Sequence, residues 1–523
     1  MLVFAVILLL LIAATSMLLL RMLLPQFVYH WLVAVAGALI AWVVILVISL
    51  QLPLRAALVQ WGPERLLPES PTLLVDRFSW PFGVVMVTLA ITVIFTDVAR
   101  AAEADWSSWA GTLVLAALGL FAVLAGNPLT LLIAWMAIDL AELLILLAQV
   151  NQSDLRERVV VAFSARVFGS LLLIAAVMVA AVQGDRLGFE SIPARASLLL
   201  VLAAGLRLGI LPLHVPFFQE LPIRRGLGTM SRLVPAASSL ILLVRTADGL
   251  STPLEPFILS GLLGLAALAG LFGSLSWFLA DDELDGRPSW ILGMASLAVA
   301  AAARVQSSTT LAWGLATLFS GGLLFLTSIH DRRLLWISLL GLLGFSALPY
   351  TPAWNGAMLF SAPFHPLLIV FFINLSLLLA GYARHALQPG PTFEGVERWV
   401  WLVYPFGLLL LPLTQFSIGW WMDAGPNQGS VLSWIIGPAS VALTALIMFL
   451  GYRFWYRTSG LVDFLKNFLS LNWLYRFLWI SYRYLIRISA FLTSVLEGEG
   501  GVLWAFLILV LLLSVLGRGN GGG

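Results

Sequence analysis

The stretch GLRLGILPLHVPFFQELP, residues 205 to 222, carries an arginine, a histidine and three prolines in a segment otherwise apolar enough to cross a membrane. Pro212 and Pro216 lack a backbone N–H and cannot continue the hydrogen-bond ladder of a helix. A membrane helix interrupted in this way leaves free carbonyl groups that protein or water must satisfy. The stretch therefore predicts a broken membrane helix, with Arg207 and His214 beside the break.

The composition places this break in a membrane protein. Of 523 residues, 61% are hydrophobic and 10% are charged, and the mean hydropathy is +1.01. These values predict an all-α polytopic membrane protein and exclude an ordinary soluble domain. The absence of cysteine excludes thiolate-bound iron–sulfur clusters, covalent c-type haem and cysteine zinc sites. No metal motif, nucleotide-binding loop or nucleophile–base pair is evident, so we expect no metal, no cofactor and no catalytic residue.

Runs of about 17 to 25 apolar residues predict about sixteen transmembrane helices. We place them at residues 2–20, 28–50, 79–97, 108–125, 127–149, 157–183, 195–213, 228–247, 257–280, 288–304, 308–328, 333–349, 364–383, 400–420, 431–452 and 501–518. A second interruption, GFSALPYTPAWNG at residues 344 to 356, contains Pro349 and Pro352. Paired broken helices in two halves of a chain are typical of transporters built from inverted repeats.

The segment between the last two predicted spans differs in composition from the rest. Residues 453–498 alternate aromatic residues with arginines, which favours an amphipathic lateral helix along the inner membrane surface. A tilted additional span is the alternative. The whole chain then divides into N-terminal spans with an outer loop (1–107), a first repeat (108–247), a second repeat (257–383), C-terminal spans (400–452), the lateral helix (453–498), a final span (501–518) and a disordered tail (519–523).

The arginines in short loops predict the orientation. With the N-terminus outside, the inner loops hold Arg21, Arg100, Arg156, Arg158, Arg224, Arg225, Arg287, Arg332, Arg333 and Arg384. The outer loops then hold Arg55, Arg65, Arg186 and Arg195. Because basic residues concentrate on the cytoplasmic side, we expect the N-terminus to lie outside a bacterial plasma membrane.

Several motifs together resemble one family. The stretch RLGILPLH (207–214), followed by VPFFQELP, resembles the motif K-x-x-x-x-P-x-H-x-W-L-P of antiporter-like subunits. These subunits are shared by respiratory complex I, Mrp-type cation/proton antiporters and membrane-bound hydrogenases. Other family motifs resemble LLVDRFSWPFGVVM (73–86), GNPLTLLIAWMAIDLAELLILL (126–147), VVAFSARVFGSLLL (160–173), ELDGRPSWILGMASL (283–297) and the second interruption (344–356). The layout of fifteen spans, a lateral helix and a final span is similar to that of the distal complex I subunit.

The sequence departs from this family at its proton-carrying positions. The resemblance implies a line of buried lysines and one glutamate along the membrane mid-plane, where burial brings a lysine pKa towards neutrality. The glutamate position is Met136, and the lysine positions are Arg207, about Ala237 and about Asn355. Arginine is not deprotonated in proteins, so Arg207 is expected to be a fixed charge.

Four other ionisable residues are candidates for an ion path: Asp139, Glu142 and Arg166 within predicted spans, and His214 directly after one. Asp139 and Glu142 follow Met136 at intervals of three residues and therefore lean towards one helix face. Either carboxylate pairs with Arg166 or Arg207, or it relays protons in place of the missing glutamate. His214 either titrates near neutral pH or hydrogen-bonds the carbonyls freed by the prolines.

The sequence thus favours one function and leaves two others open. The first is an antiporter-like subunit of a larger ion-translocating assembly, with an altered proton path and an architectural or coupling role. The second is an active proton or cation translocator that uses Asp139, Glu142 and His214. The third is a quinone- or lipid-binding anchor for a soluble enzyme. The expected partners are other membrane subunits, lipid and a soluble partner on the inner side, but not nucleic acid.

Overall fold

The computed structural model describes most of the membrane-embedded chain. It describes residues 2–57, 70–100, 105–149, 153–182, 187–214, 224–250, 254–422, 431–454 and 472–497, with Phe464, Phe506 and Val510. The chain forms two compact units, Met1–Leu469 and Ser470–Gly523. The first unit contains all the elements that build the candidate site.

The described residues are almost entirely helical. The helices of the first unit are α1 (Leu2–Leu23), α2 (His30–Ile48), α3 (Ser79–Thr96), α4 (Trp106–Val123), α5 (Pro128–Gln149), α6 (Ser153–Val182), α7 (Ala194–Arg207), α8 (Arg225–Gly249), α9 (Pro256–Leu279), α10 (Arg287–Ala303), α11 (Ser307–Leu326), α12 (Leu335–Phe345), α13 (Leu368–Ala386), α14 (Val400–Met422) and α15 (Val431–Phe454). Two strands, β1 (Leu54–Ala57) and β2 (Thr72–Val75), pair antiparallel with Leu54 opposite Val75.

The predicted fold class is confirmed: the protein is an all-α polytopic integral membrane protein. Within the described ranges, 12 helices are long and apolar enough to cross a membrane. Helices α7, α10 and α12 are shorter, with 14, 17 and 11 residues. Each of the first fifteen predicted spans overlaps one of the helices α1 to α15. The predicted span 501–518 lies outside the continuously described residues, and the count of sixteen stays a prediction.

Helices α3, α8 and α11 form the interior of the first unit. Nearly every residue of α3 and α8, and every residue of α11 from Thr309 to Leu326, is buried. Helices α1, α2 and α15 bury at most a third of their apolar stretches, as expected for lipid-facing helices. The polar side chains of α3, α8 and α11 therefore lie away from the lipid-facing surface of the first unit.

The first helix break occurs where the prolines predicted it. Helix α7 ends at Arg207, and the chain turns through Leu213 with a positive φ of 80° at Gly209. The N–H groups of Ile210 and His214 donate to the carbonyls of Gly205 and Gly209, at 2.8 and 2.9 Å. The turn thereby satisfies carbonyls that the helix leaves free. Pro216 lies outside the described residues.

The second break separates α12 from α13. Helix α12 ends at Phe345, Pro349 and Pro352 lie in the irregular segment that follows, and a 3-10 helix spans Trp354–Phe360. Side chains of other helices bond the carbonyls at the end of α12. The Gln415 amide of α14 donates to the Gly344 carbonyl at 3.1 Å, and the Ser320 hydroxyl of α11 donates to the Gly341 carbonyl at 2.9 Å.

The second unit contains one long helix, α16 (Asn472–Glu497). Its described arginines, Arg476, Arg483 and Arg487, are exposed, and it is not among the candidate membrane spans. Its composition matches the amphipathic helix predicted for residues 453–498, of which 455–463 and 465–471 lie outside the described residues. The predicted domain boundaries stay predictions, since the contact-based division falls at residue 469.

Candidate functional site

Helix α5 carries the two carboxylates that the sequence singled out. Asp139 and Glu142 are 0% and 1% exposed. Met136, which occupies the family's glutamate position, is 38% exposed on the outer surface of α5. Asp139 and Glu142 therefore lie on a different face of α5 from Met136, the face whose side chains contact α6 and α7.

Arg207, the last residue of α7, binds Asp139 through both guanidinium nitrogens. Nη1 lies 2.6 Å from Oδ2 and Nη2 lies 2.8 Å from Oδ1. Nη1 also donates to the Arg166 carbonyl at 3.2 Å and the Ser170 hydroxyl at 3.3 Å. The guanidinium carbon lies 4.2 Å from the ring centroid of Trp135, which adds a cation–π contact. A carboxylate, a carbonyl, a hydroxyl and an aromatic ring therefore all contact the Arg207 guanidinium and fix its position.

Arg166 of α6 joins the second carboxylate to the first. Its Nη1 donates to Oε2 of Glu142 at 2.7 Å, and its Nε lies 3.4 Å from Oδ1 of Asp139. Asp139, Glu142, Arg166 and Arg207 together form what we call the charged cluster. The cluster holds two positive and two negative groups, so its formal charge is zero. Such pairing offsets much of the cost of removing the four charges from water.

The pairing proposed from the sequence is thus present, and both arginines take part. Its role in an ion path stays a prediction. His214 makes no hydrogen bond to the four side chains of the cluster. Instead its Nδ1 bonds the Pro212 carbonyl at 2.8 Å, so the structure favours the second reading of this histidine, as a donor to a carbonyl freed by the break.

A glycine on α6 makes room for Arg207. A methyl group at Gly169 would lie 2.6 Å from Cγ of Arg207 and 3.1 Å from the carbonyl oxygen of Ala203. Both distances are shorter than ordinary van der Waals contact. Gly169 therefore lets α6 and α7 approach closely enough for Arg207 to reach Asp139.

We expect a Gly169→Ala variant to displace the Arg207 side chain and to destabilise the protein by about 1 to 3 kcal/mol, the usual effect of overpacking. Unfolding in mixed detergent micelles measures the change. Gly264→Ala on α9 is the matched control, because a methyl group there would meet only Cδ1 of Leu367 at 3.9 Å. Equal stability of the two variants would contradict the role of Gly169.

The other family lysine positions hold neutral groups. Ala237 is fully buried on α8, and the carbonyl of Asn355 accepts a hydrogen bond from Thr309 at 3.1 Å. In the second half, the buried amide of Asn374 donates to the Gly293 carbonyl and the Ser296 hydroxyl, both at 3.1 Å. The described helices α10 to α13 contain no Asp, Glu or Lys. The two positions at which the motif resemblance implies further lysines therefore hold neutral side chains.

The structure also contains a second buried ion pair that the sequence analysis did not identify. Arg225, the first residue of α8, donates to Oε1 of Glu283 at 2.7 Å and to the carbonyls of Phe325 and Thr327 at 3.1 and 2.7 Å. It ties α8 to the α9–α10 loop and to the end of α11. The partners are 58 and about 100 residues apart in sequence, so no local pattern indicates the contact.

Comparison with solved structures identifies the fold. A chain of an archaeal respiratory membrane complex, the membrane-bound sulfane sulfur reductase, aligns with a TM-score of 0.70 and 13% identity, over 97% of this chain and 99% of that one. A chain of the Mrp complex from Dietzia sp. DQ12-45-1b aligns at 0.72 and 16% identity, over 99% of this chain and 63% of that one. A chain of respiratory complex I from Thermus thermophilus aligns with a TM-score of 0.58 and 15% identity, over 79% of this chain and 96% of that one.

The chain has the fold of the antiporter-like membrane subunits. The resemblance inferred from the sequence motifs is confirmed at the level of the fold. No protein-family model and no curated protein sequence matches the chain. At identities of 13 to 16%, the shared fold leaves the activity of this chain to be argued from its own residues.

Proposed function

We propose that this antiporter-like chain is a membrane subunit of a larger assembly of the complex I/Mrp type, and that its role there is architectural or coupling. The fold is that of chains from three multi-subunit assemblies. The observation that carries the proposed role is the bidentate binding of Asp139 by Arg207. A carboxylate bound on both oxygens by a permanently charged guanidinium has neither a free oxygen nor a partner that exchanges protons.

The lack of carboxylates and lysines in the described helices α10 to α13 supports the same proposal. Proton relay along a membrane mid-plane needs groups that gain and lose a proton within the pH range of the cell. In the described part of α10 to α13 the buried polar groups near the family lysine positions are amides and hydroxyls. The first half thus holds a cluster of buried ion pairs, and the described helices α10 to α13 hold no carboxylate or lysine to continue from it.

We further propose that the subunit lies in a bacterial plasma membrane with its N-terminus outside. The asymmetry of the loop arginines supports this orientation.

Other membrane subunits are the proposed partners. Purification of the tagged protein from its native membranes in mild detergent, followed by mass spectrometry, tests this point. Co-purifying redox or antiporter subunits support the proposal, and their absence contradicts it.

Ion flux distinguishes the architectural role from an active one. In the reconstituted native assembly, we expect an Asp139→Leu/Arg207→Met double variant to support the same pH-driven uptake as the unaltered protein, because it removes one complete ion pair. Loss of flux in this variant would overturn the architectural role. The matched control is Asp248→Asn/Arg77→Gln, which removes an ion pair exposed to solvent.

Active proton translocation through Glu142 is the second candidate. It is favoured by one observation: among the described contacts, only Oε2 of Glu142 accepts a hydrogen bond. A Glu142→Gln variant keeps the size of the side chain and an acceptor for Arg166, so a specific loss of flux with unchanged assembly would favour this candidate.

A further inference from the structure

A large cavity opens where the N-terminal ends of α12 and α14 meet, far along the chain from the charged cluster. Its volume is about 780 Å³, within the range of ligand-binding pockets. Its lining includes His330, Arg332 and Arg333 before α12, Glu394 before α14, and Trp401 on α14. We call it the α12–α14 cavity.

The charged side chains of this cavity lack ionic partners. Arg332 and Glu394 are exposed, and neither makes a salt bridge to the described residues. The Arg333 guanidinium carbon lies 5.8 Å from the ring centroid of Trp401, and no carboxylate pairs with it. Asp331 instead accepts a hydrogen bond from the backbone N–H of Arg333 at 2.9 Å. The cavity is thus lined by Arg332, Arg333, Asp331 and Glu394, with no salt bridge among them in the described structure.

His330 adds neutral polar atoms to the lining. Both of its ring nitrogens are shielded from solvent and have no hydrogen-bond partner in the described structure. Burial lowers the pKa of His330; Arg225 lowers it further, and Glu283 opposes the shift. The ring is therefore neutral at pH 7 and offers one donor and one acceptor. The permanent charges that face a ligand belong to Arg332, Arg333, Asp331 and Glu394.

An apolar surface leads away from the cavity along both helices. Trp336, Leu339 and Leu343 of α12 are 50%, 44% and 40% exposed, at spacings of three and four residues that place them on one face. Helix α14, which packs against α12 and also runs away from the cavity, exposes Leu402 and Phe406. Trp401 lies in the cavity lining and Trp336 in the first turn of α12, and tryptophan is a residue type that marks the headgroup level of a membrane.

From this arrangement we propose that the α12–α14 cavity binds a phospholipid with a primary ammonium in its headgroup, of the phosphatidylethanolamine type. The phosphate contacts Arg332 and Arg333, the ammonium faces Glu394, and the acyl chains lie on the exposed apolar face of α12 and α14. A lipid with a phosphate and an ammonium complements both signs of charge in the lining. A lipid with only a negative headgroup leaves Glu394 unpaired.

Lipid retention tests the site directly. The purified full-length protein is equilibrated with mixed micelles that contain equal amounts of phosphatidylethanolamine, phosphatidylglycerol and phosphatidylcholine, and native mass spectrometry counts the bound lipids. We expect phosphatidylethanolamine to be retained in preference to the other two. An Arg332→Gln/Arg333→Gln variant should retain about tenfold less of it. A control variant, Arg21→Gln/Arg195→Gln, alters two exposed arginines elsewhere and should behave as the unaltered protein.

The second variant tests the headgroup. Glu394→Gln should keep phospholipid bound but lose the preference for ethanolamine over choline and glycerol headgroups. Equal retention by the unaltered protein and the double arginine variant would overturn the site. Stronger retention of phosphatidylglycerol would overturn the assigned headgroup. Binding of millimolar inorganic phosphate that needs Arg332 and Arg333, without retention of any lipid, would show that the cavity binds free phosphate and not a lipid.

Discussion

An Asp139→Asn variant is expected to lower the free energy of unfolding by about 3 to 5 kcal/mol. The substitution keeps the size of the side chain but leaves Arg207 without its counter-charge. The Arg207 side chain is 1% exposed, so water cannot replace the lost carboxylate. The Ser170 hydroxyl and the Arg166 carbonyl remain as partners, but neither carries a negative charge. The measurement is unfolding of the purified protein in mixed detergent micelles.

Two further variants separate the loss of a charge from the loss of a contact. The Asp139→Leu/Arg207→Met variant removes both charges, and we expect it to be much less destabilised than Asp139→Asn, because no buried charge stays unpaired. Asp248→Asn is the surface control: its partner Arg77 is 73% exposed, and exposed pairs contribute under about 1 kcal/mol. If Asp139→Asn were no more destabilising than Asp248→Asn, the charged cluster would not be a structural element.

The fold was largely predictable because its signals are local. Apolar runs of the right length predicted the positions of α1 to α15. Pro212 and Pro349 indicated the two breaks, although α7 and α12 end before these prolines, at Arg207 and Phe345. The carboxylates on α5 were recognised because charged residues are rare in the middle of a membrane helix. The three-residue spacing of Asp139 and Glu142 also indicated a shared face, which the structure confirms.

The details that fix the cluster were not predictable from the sequence. Gly169 is one of 44 glycines, and only the path of α7 shows which side chain its missing Cβ accommodates. The Trp135 ring contacts Arg207, which lies on another helix and far along the chain. Gln415 is a visible amide within an apolar span, yet its partner Gly344 is 71 residues away. Contacts of this kind depend on helix packing, which local periodicity does not determine.

The ion pair at the other end of α8 yields the second large expected effect. Asp76, between β2 and α3, binds Arg245 of α8 through both oxygens, with Nη2 3.1 Å from Oδ1. Its Oδ1 also accepts hydrogen bonds from the backbone N–H groups of Phe78 and Ser79, at 3.0 and 2.9 Å. Asp76 thus joins the start of α3 to α8, the two most buried helices of the first half.

We expect Asp76→Asn to lower the free energy of unfolding by about 2 to 4 kcal/mol. Asparagine retains an oxygen for the backbone N–H groups of α3, so the change isolates the ionic contact with Arg245, whose side chain is 6% exposed. Asp76→Ala should lower the free energy of unfolding further than Asp76→Asn does, because it also removes the hydrogen bonds at the start of α3. Equal effects of the two variants would mean that the ion pair dominates and the backbone contacts contribute little.

The contribution of Asp76 also depends on pH in a defined direction. Burial opposes ionisation of this carboxyl, but Arg245 and the hydrogen bonds from Ser79 outweigh burial and hold its pKa below the ordinary value of 3.8. A group with a depressed folded-state pKa stabilises the protein above its unfolded pKa, and this stabilisation is lost as the pH falls through the folded pKa. The stability difference between the unaltered protein and Asp76→Asn should therefore be constant from pH 7 to about pH 5 and shrink below pH 4. A difference that stays constant down to pH 3 would show that Asp76 acts through packing and not through its charge.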